Sequence, residues 1–129
     1  MEQKICLDTT FLISFLRGNP ESSHFINSTE QTARLATTSI NLFELYQGAY
    51  KSKYAENELQ LINDLKQKLL VLPFSEKNAQ FAGMIAATLK GNPIEIRDLF
   101  IAAIAMTKNY AIKTNNKKHF ERIPGLIVL

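Results

Sequence analysis

Hydrophobic and polar positions alternate along this chain in a pattern that predicts short strands separated by helices. Five short segments rich in apolar residues, each ending at a polar or helix-breaking residue or at the last residue given, predict strands. They lie at 4–7, 34–39, 69–73, 110–114 and 125–129. Between them, apolar residues recur at helical spacing, which predicts helices over 11–16, from 19 onward, and over 40–50, 54–68, 75–90 and 95–108. Strands that alternate with helices favour a parallel sheet covered on both faces, so the predicted class is α/β, doubly wound.

Capping residues mark several of the predicted helix ends. Asn19 precedes a proline and an acid, which is typical of a helix start, and Ser75 begins a later helix. Thr9 and Thr10 follow the first strand and are expected to cap the helix after it. The helix that starts at Ser75 is expected to run to Lys90, where a Gly-Asn-Pro sequence breaks the chain.

Length and composition narrow the possible classes of protein. The 129 residues predict a single domain spanning 1–129, and 46% hydrophobic with 21% charged residues is typical of globular rather than disordered chains. No apolar run approaches the roughly 20 residues of a membrane span, and the first residues lack the layout of a signal peptide. Cys6 stands alone, which excludes an internal disulfide and a thiolate zinc site. We therefore expect a cytoplasmic protein with no membrane association.

The net charge of +3 is mild, but the cations are unevenly distributed along the chain. The segment 108–122 carries five Lys or Arg residues against one acid. Such an excess can follow a phosphate backbone, or it can be the solvated face of a short terminal element. The sequence by itself leaves both interpretations open.

Three acids stand in apolar surroundings, where a charge needs a partner or a metal ion. Asp8 ends the first strand, Glu44 lies within an apolar helical segment, and Asp98 opens another. Ligands of an open parallel sheet bind at the carboxyl ends of its strands, which is where Asp8 is expected. On helical geometry, Glu44 shares a face with Gly48, and Asp98 shares one with Ala102 and Ala105. These small residues are expected to let each helix approach a neighbour and carry its carboxylate inward.

Convergence of the three carboxylates would make them repel one another, and a divalent cation removes that repulsion. Oxygen-only ligands select a hard ion such as Mg²⁺ or Mn²⁺. Two of the acids can instead have purely local roles. Asp98 can interact with the dipole of its own helix, and Asp8 can stabilise its strand-to-helix turn, whereas Glu44 lies in mid-helix and has no capping role. A dinucleotide site is excluded because the turn after the first strand contains no glycine.

Four motifs along the chain resemble those of one known family. The sequences LDTTFLI, TSINLFELYQGA, IRDLFIAAIA and TNNKKHFERIPGL follow one another in the order seen in PIN-domain proteins. Within that family, the chain resembles most the VapC-type toxins of prokaryotic toxin–antitoxin pairs, and the resemblance covers essentially the whole chain. It implies a three-layer α/β/α fold, with a central and mostly parallel sheet of five strands, and a metal-dependent ribonuclease site.

The resemblance also implies roles for individual residues. The family's first, second and third acids fall on Asp8, Glu44 and Asp98, which would ligate the metal and act in catalysis. Many relatives have a fourth acid where this chain has Asn116, and often another acid where it has Ile96. The chain therefore has fewer candidate metal-binding acids than many relatives, and we expect it to bind one metal ion at a time rather than a tightly held pair.

Further expectations concern the surroundings of the metal and the reaction. The hydroxyls of Thr9 and Thr114 and the amide of Asn116 are expected to support the metal shell or to contact substrate. The implied reaction is hydrolysis of RNA phosphodiester bonds with Mg²⁺ or Mn²⁺ as cofactor, and segment 108–122 would guide the RNA. The missing fourth acid favours an alternative, a catalytically silent PIN-like module that binds RNA or protein.

The resemblance implies two protein partners. One is a cognate antitoxin, whose tail is expected to lie on the exposed parts of 11–16 and 42–54 and to place an Arg among the carboxylates. The other is a second copy of the chain in a homodimer. The middle helices carry more large apolar residues than one buried stripe needs, namely Leu42, Phe43, Leu45, Tyr46, Tyr50 and Tyr54.

Overall fold

The computed structural model describes residues 2–89, 91 and 93–129. Strands and helices alternate over most of this length, as the hydrophobic pattern predicts. The elements are β1 (Gln3–Leu7), α1 (Thr9–Leu16), α2 (Pro20–Thr29), β2 (Ala33–Thr38), α3 (Ser39–Lys51), α4 (Ala55–Lys66), β3 (Leu70–Leu72), α5 (Glu76–Thr88), α6 (Ile96–Thr107), β4 (Ala111–Lys113) and α7 (Lys117–Phe120). No helix within these ranges is both long enough and apolar enough to cross a membrane.

The four strands form one parallel sheet in the order β3-β2-β1-β4. The strand β1 lies inside the sheet, where Ile5 is in register with Leu35 on one side and with Ala111 on the other. The chain adds β2 and β3 on one side of β1 and then returns to add β4 on the other side. A crevice forms at the carboxyl ends of the strands where the order reverses in this way. Asp8 and Thr114, which directly follow β1 and β4, therefore lie at that crevice.

The segment 125–129 does not form the predicted fifth strand. A single parallel bridge joins Val128 to Ile112. In the three-residue strand β4, Ala111 and Lys113 bond toward β1, and Ile112 alone turns its N–H and C=O groups to the outer edge. A neighbouring strand can therefore pair at only one residue. The prediction of five strands is wrong by one, while the α/β class and the parallel direction are confirmed.

Helices cover both faces of the sheet, so the fold has the predicted three layers. Ile5 and Leu7 pack on the face covered by α1, α2, α3 and α4, while Cys6 packs on the face covered by α5 and α6. This alternation follows the period of two along a strand. Helix α6 is apolar nearly all round, and Ala102 and Ala103 on it are fully buried. The core on this side therefore holds the helix that carries Asp98 in its first turn.

Two of the predicted helix starts are confirmed by their hydrogen bonds. The Asn19 side chain accepts a bond from the backbone N–H of Ser22, and a proline occupies the first turn of α2. The Ser75 side chain accepts from the backbone N–H of Asn78, whose own side chain accepts from the backbone of Ser75. These are short-range bonds between residues three positions apart, which is why the sequence predicts them.

The capping role predicted for Thr9 and Thr10 is wrong. Helix α1 begins at Thr9, its N-cap is Asp8, and no side chain there makes a capping bond. The two threonine hydroxyls donate instead to acids, Thr9 to Glu44 and Thr10 to Asp8. Elsewhere, α5 ends at Thr88, and the predicted end of that helix at Lys90 lies outside the described residues.

Candidate active site

Asp8 is the most enclosed acid of the site, with 5% of its surface exposed. Its Oδ1 accepts a hydrogen bond from Nδ2 of Asn41 at 3.1 Å. Its Oδ2 accepts from the hydroxyls of Thr114 at 2.8 Å and Thr10 at 3.2 Å. The three donors come from α3, from the end of β4 and from α1. Together they replace the water that this carboxylate loses on burial.

Asn41 connects the start of α3 to the acids, and it was not singled out from the sequence. Its side-chain oxygen accepts from the backbone N–H of Thr38 at 3.2 Å and from the Thr38 hydroxyl at 2.7 Å. Both hydrogens of its amide are then used, one on Asp8 and one on the hydroxyl of Thr9 at 2.9 Å. The Thr-x-x-Asn spacing is a capping-box signal, but it does not show where the amide of this fully buried residue donates.

Glu44 is positioned by two groups from different elements. Its Oε1 accepts from the Thr9 hydroxyl at 2.7 Å, and its Oε2 pairs with Nη1 of Arg97. The guanidinium also pairs with Glu95 at 3.1 Å. The pKa of Arg97 is raised, chiefly by the charge of Glu44 and then by its bond to Glu95. The sequence did not point to Arg97 either, since there it is only a cation beside the third acid.

Asp98 lies in the first turn of α6, and 14% of its side chain is exposed. Its Oδ2 is 3.1 Å from Nδ1 of His119, a half-exposed residue of α7. Burial is the largest cause that raises the pKa of Asp98; His119 opposes it, and the negative charge of Asp8 raises it further. Asp98 therefore lies within the electrostatic influence of Asp8.

The small residues near the acids differ in what they do. Ala102 and Ala105 are fully buried, so α6 packs closely beyond Asp98, as expected. A side-chain carbon added at Gly48 would meet nothing within 4 Å. The expectation that Gly48 lets α3 approach a neighbour is therefore wrong. Gly48 instead lines an open groove between α1, α3 and α4.

Among the described residues, no three His, Cys, Asp or Glu side chains are grouped closely enough to hold one metal ion. Asp8 and Asp98 nevertheless offer a suitable pair of ligands, because both are oxygen donors and burial of Asp98 beside Asp8 leaves negative charge to be balanced. Asp8 and Asp98 are therefore the residues that could hold a hard divalent cation, and Glu44 is the acid that could complete such a site.

The other predicted site residues lie around this pair. Thr114 is buried, donates to Asp8, and accepts from the backbone N–H of Asn116 at 3.0 Å. Asn116 is exposed and forms the N-cap of α7 without a side-chain capping bond. Its amide therefore makes no capping contact with the helix that follows. Thr9 touches Glu44 rather than Asp8.

Segment 108–122 does not form one basic stripe. The ammonium of Lys113 lies 4.9 Å from the centre of the Phe25 ring, on the α2 side of the crevice. Lys118 and Arg122 line a different pocket together with Asp98 and His119. The cations of the segment therefore lie in separate places, and Lys118 and Arg122 are in the pocket that Asp98 lines.

Comparison with known proteins adds evidence of family. The model of the PIN domain matches residues 5–126 of the chain. The chain is 36% identical over 126 residues to the tRNA(fMet)-specific endonuclease VapC of Salmonella typhimurium, which covers 95% of this chain and 94% of that protein. It is 35% identical over 127 residues to ribonuclease VapC2 of Rickettsia felis, with 95% and 93% covered.

Solved structures show the same similarity in three dimensions. The VapBC2 complex of Rickettsia felis bound to a DNA fragment from its promoter matches with a TM-score of 0.92 and 29% identity, covering 98% of both chains. The DNA-bound VapBC complex of Salmonella typhimurium matches with a TM-score of 0.90 and 34% identity, covering 98% of this chain and 97% of that one.

The raised pKa of Asp98 predicts how stability depends on pH. The folded chain holds this proton more tightly than the unfolded chain, so ionisation of Asp98 costs stability as pH rises above about 4, the ordinary value of an aspartate. Asp98→Asn removes this cost. In the presence of a chelator, the variant is therefore expected to be more stable than the unmodified chain at about pH 6, with the difference shrinking toward pH 4.

Urea unfolding followed by circular dichroism at several pH values measures this difference. A gap between the two proteins that is the same at every pH would contradict the assignment of the cost to the partly buried carboxylate of Asp98.

Proposed function

Because this chain belongs to the PIN-domain family, and within it to the VapC ribonucleases, we infer that it is the endoribonuclease toxin of a toxin–antitoxin pair. The observation that supports a catalytic role is the Asp8 carboxylate, which three donors hold at the crevice where the strand order reverses and whose charge raises the pKa of Asp98. A buried carboxylate at this edge of the sheet, with a second, partly buried carboxylate within its electrostatic influence, is expensive for folding alone. Such an arrangement is typical of a site that works on a bound cation.

The side chains around the crevice would hold these carboxylates ready for RNA. Asp8 is oriented by its three donors, so its oxygens keep one direction. Asp98 and Glu44 are each held by one basic residue, His119 or Arg97. The arrangement is preorganised, which is what charge stabilisation at a reacting phosphate requires.

We propose Mg²⁺ or Mn²⁺ as the ion that Asp8 and Asp98 hold, with Glu44 joining them. A bound divalent cation supplies an activated water and offsets charge on the phosphoryl oxygens. Asn116 would contact a phosphate or a bound water through its amide, where many relatives have an acid. Thr114 keeps Asp8 in place by its hydroxyl.

The RNA strand would approach between the two groups of cations. Lys113 lies on the α2 side, and Lys118 lies in the pocket that also contains Asp98. Cations on both sides can contact the phosphates before and after the cleaved bond. Segment 108–122 would thus guide RNA from two directions rather than along one face.

The partner protein would be a cognate antitoxin, seated in the groove between α1, α3 and α4. The residues lining this groove are mostly apolar, but Glu44 lies among them; they are Ile13, Leu16, Arg17, Glu44, Leu45, Gly48, Ala49, Glu58, Leu61 and Ile62. An apolar segment anchored there would place a basic side chain within reach of Glu44. Such a contact would link partner binding to the state of the acids.

A homodimer stays a proposal, and the burial of individual residues limits which of them a second copy could cover. Leu42 and Leu45 are buried inside the chain, so they cannot face a second copy. Phe43, Tyr50 and Tyr54 are exposed by 56%, 70% and 72%. These three aromatic residues are the part of the middle helices that a second subunit would cover.

Asp8→Asn is expected to abolish divalent-dependent RNA cleavage, with a loss of at least about hundredfold. The asparagine keeps one acceptor oxygen for the surrounding donors, so the free energy of unfolding should change by only about 1 kcal/mol. Cleavage of a labelled RNA with added Mn²⁺ and urea unfolding measure the two effects. Full activity in a folded variant would contradict the catalytic role of Asp8, whereas absence of divalent-dependent cleavage by the unmodified chain would support the catalytically silent module.

Asn41→Leu and Asn78→Leu form a matched pair. Each removes the asparagine of a capping box, so each should lower the free energy of unfolding by about 1–3 kcal/mol. The Asn41 amide donates to Asp8, whereas that of Asn78 donates to Thr107. Only Asn41→Leu is therefore expected to lose cleavage activity, by about 10–100-fold.

Single-turnover cleavage, measured at a temperature where both variants are folded, distinguishes them. Equal activity losses in the two variants would show that Asn41 acts through stability alone and does not position Asp8.

Leu61→Glu is expected to weaken antitoxin binding about tenfold or more, because it places a charge in the apolar part of the groove. Met84→Glu is the control, since Met84 is an exposed apolar residue of α5 outside the groove. Calorimetric titration with the antitoxin encoded beside this chain measures both affinities. Equal affinities for the two variants would place the antitoxin elsewhere.

A further inference from the structure

Arg97 occupies a position that the proposed metal chemistry makes important. Its guanidinium contacts Glu44, the acid that would complete the metal site, and it is the residue directly before Asp98. A single arginine in the first turn of α6 thus connects the second and third acids. The Thr9 hydroxyl donates a hydrogen bond to the other oxygen of Glu44, so both carboxylate oxygens have a partner.

We propose that Arg97 is an internal competitor for the metal ion. It holds Glu44 when no cation is bound, and a cation at Asp8 and Asp98 gains Glu44 as a ligand only by displacing this guanidinium. The inference rests on the proposed metal-dependent function and adds a residue that sets how tightly the chain takes up its cation.

The surroundings of Arg97 make the displacement feasible. About half of its side chain is exposed, whereas only 18% of the Glu44 side chain is exposed. On release, the guanidinium still has Glu95, which lies 3.1 Å away and is 62% exposed. The arginine therefore exchanges one carboxylate for solvent and keeps the other. A half-exposed ion pair of this kind is weak enough to be broken by a binding ion.

The absence of a three-acid group among the described residues agrees with this competition. Asp8 and Asp98 already interact, while Glu44 is paired with a cation of the chain itself. Because a guanidinium and a divalent ion both neutralise the charge of a carboxylate, each weakens the attraction of Glu44 for the other. Metal affinity should then depend on the strength of the Arg97–Glu44 pair.

The test is calorimetric titration of the purified chain with Mn²⁺ alone. Arg97→Ala is expected to bind Mn²⁺ about threefold to tenfold more tightly than the unmodified chain. Arg97→Lys, which keeps the charge but loses the planar fork, should fall between them. Lys77→Ala removes an equal charge from an exposed residue of α5, outside the pockets that Glu44 and Asp98 line, and is expected to change the affinity less than about twofold.

A double-mutant cycle separates competition for Glu44 from a general effect of charge. In a Glu44→Gln background, Arg97→Ala should no longer strengthen Mn²⁺ binding. Thermal unfolding by circular dichroism shows whether each variant is folded, and Arg97→Lys provides the comparison if the alanine variant is not.

The results of these titrations distinguish a failure of the Arg97 competition from a failure of the metal site itself. If the unmodified chain binds Mn²⁺ and Asp8→Asn does not, but the Arg97 and Lys77 variants respond alike, the competition is wrong and the metal site stands. The same conclusion follows if Arg97→Ala strengthens binding equally with Gln at position 44. If the unmodified chain binds no Mn²⁺, the metal site fails and the competition fails with it.

Discussion

A carboxylate at the end of an interior strand has to be solvated by the protein, and this requirement of Asp8 organises the site. The acid follows the strand β1 at the point where the sheet order reverses. Its oxygens need donors from elements that are far apart in the chain, since Thr114 is 106 positions away. The start of α1, the start of α3 and the end of β4 must therefore meet at one point. Their packing and the function of the crevice depend on the same few hydrogen bonds.

The other two acids, Asp98 and Glu44, are each paired with a basic residue of their own instead of sharing one cation. His119 contacts Asp98, and Arg97 contacts Glu44. Glu44 also lines the groove between α1, α3 and α4, so one carboxylate belongs both to the crevice and to a surface suited to a partner. Arg97, a metal ion and a basic side chain of an antitoxin would all compete for the carboxylate oxygens of Glu44. Control of such a site can then work through charge exchange at Glu44, without a large change in fold.

Much of the fold follows from local features of the sequence. The alternation of strands and helices, the three-layer arrangement and the helix starts at Asn19 and Ser75 were predicted because periodicity and capping act over a few residues. The error at 125–129 has a tertiary cause. That segment resembles a strand, but the short strand β4 offers it a single pairing residue, Ile112. Thr9 and Thr10 were assigned local capping roles, but their hydroxyls donate hydrogen bonds to the distant Glu44 and the buried Asp8.

For the site, the sequence by itself determined which residues carry unusual charges. Asp8, Glu44 and Asp98 stand out because an acid in an apolar segment is costly wherever that segment packs. The identity of their partners was decided by tertiary structure. The contacts of Glu44 with Arg97 and of Asp98 with His119 join residues 53 and 21 positions apart, and that of Asn41 with Asp8 spans 33. Strand order and helix packing set these distances, and a pattern read over neighbouring positions contains no information about them.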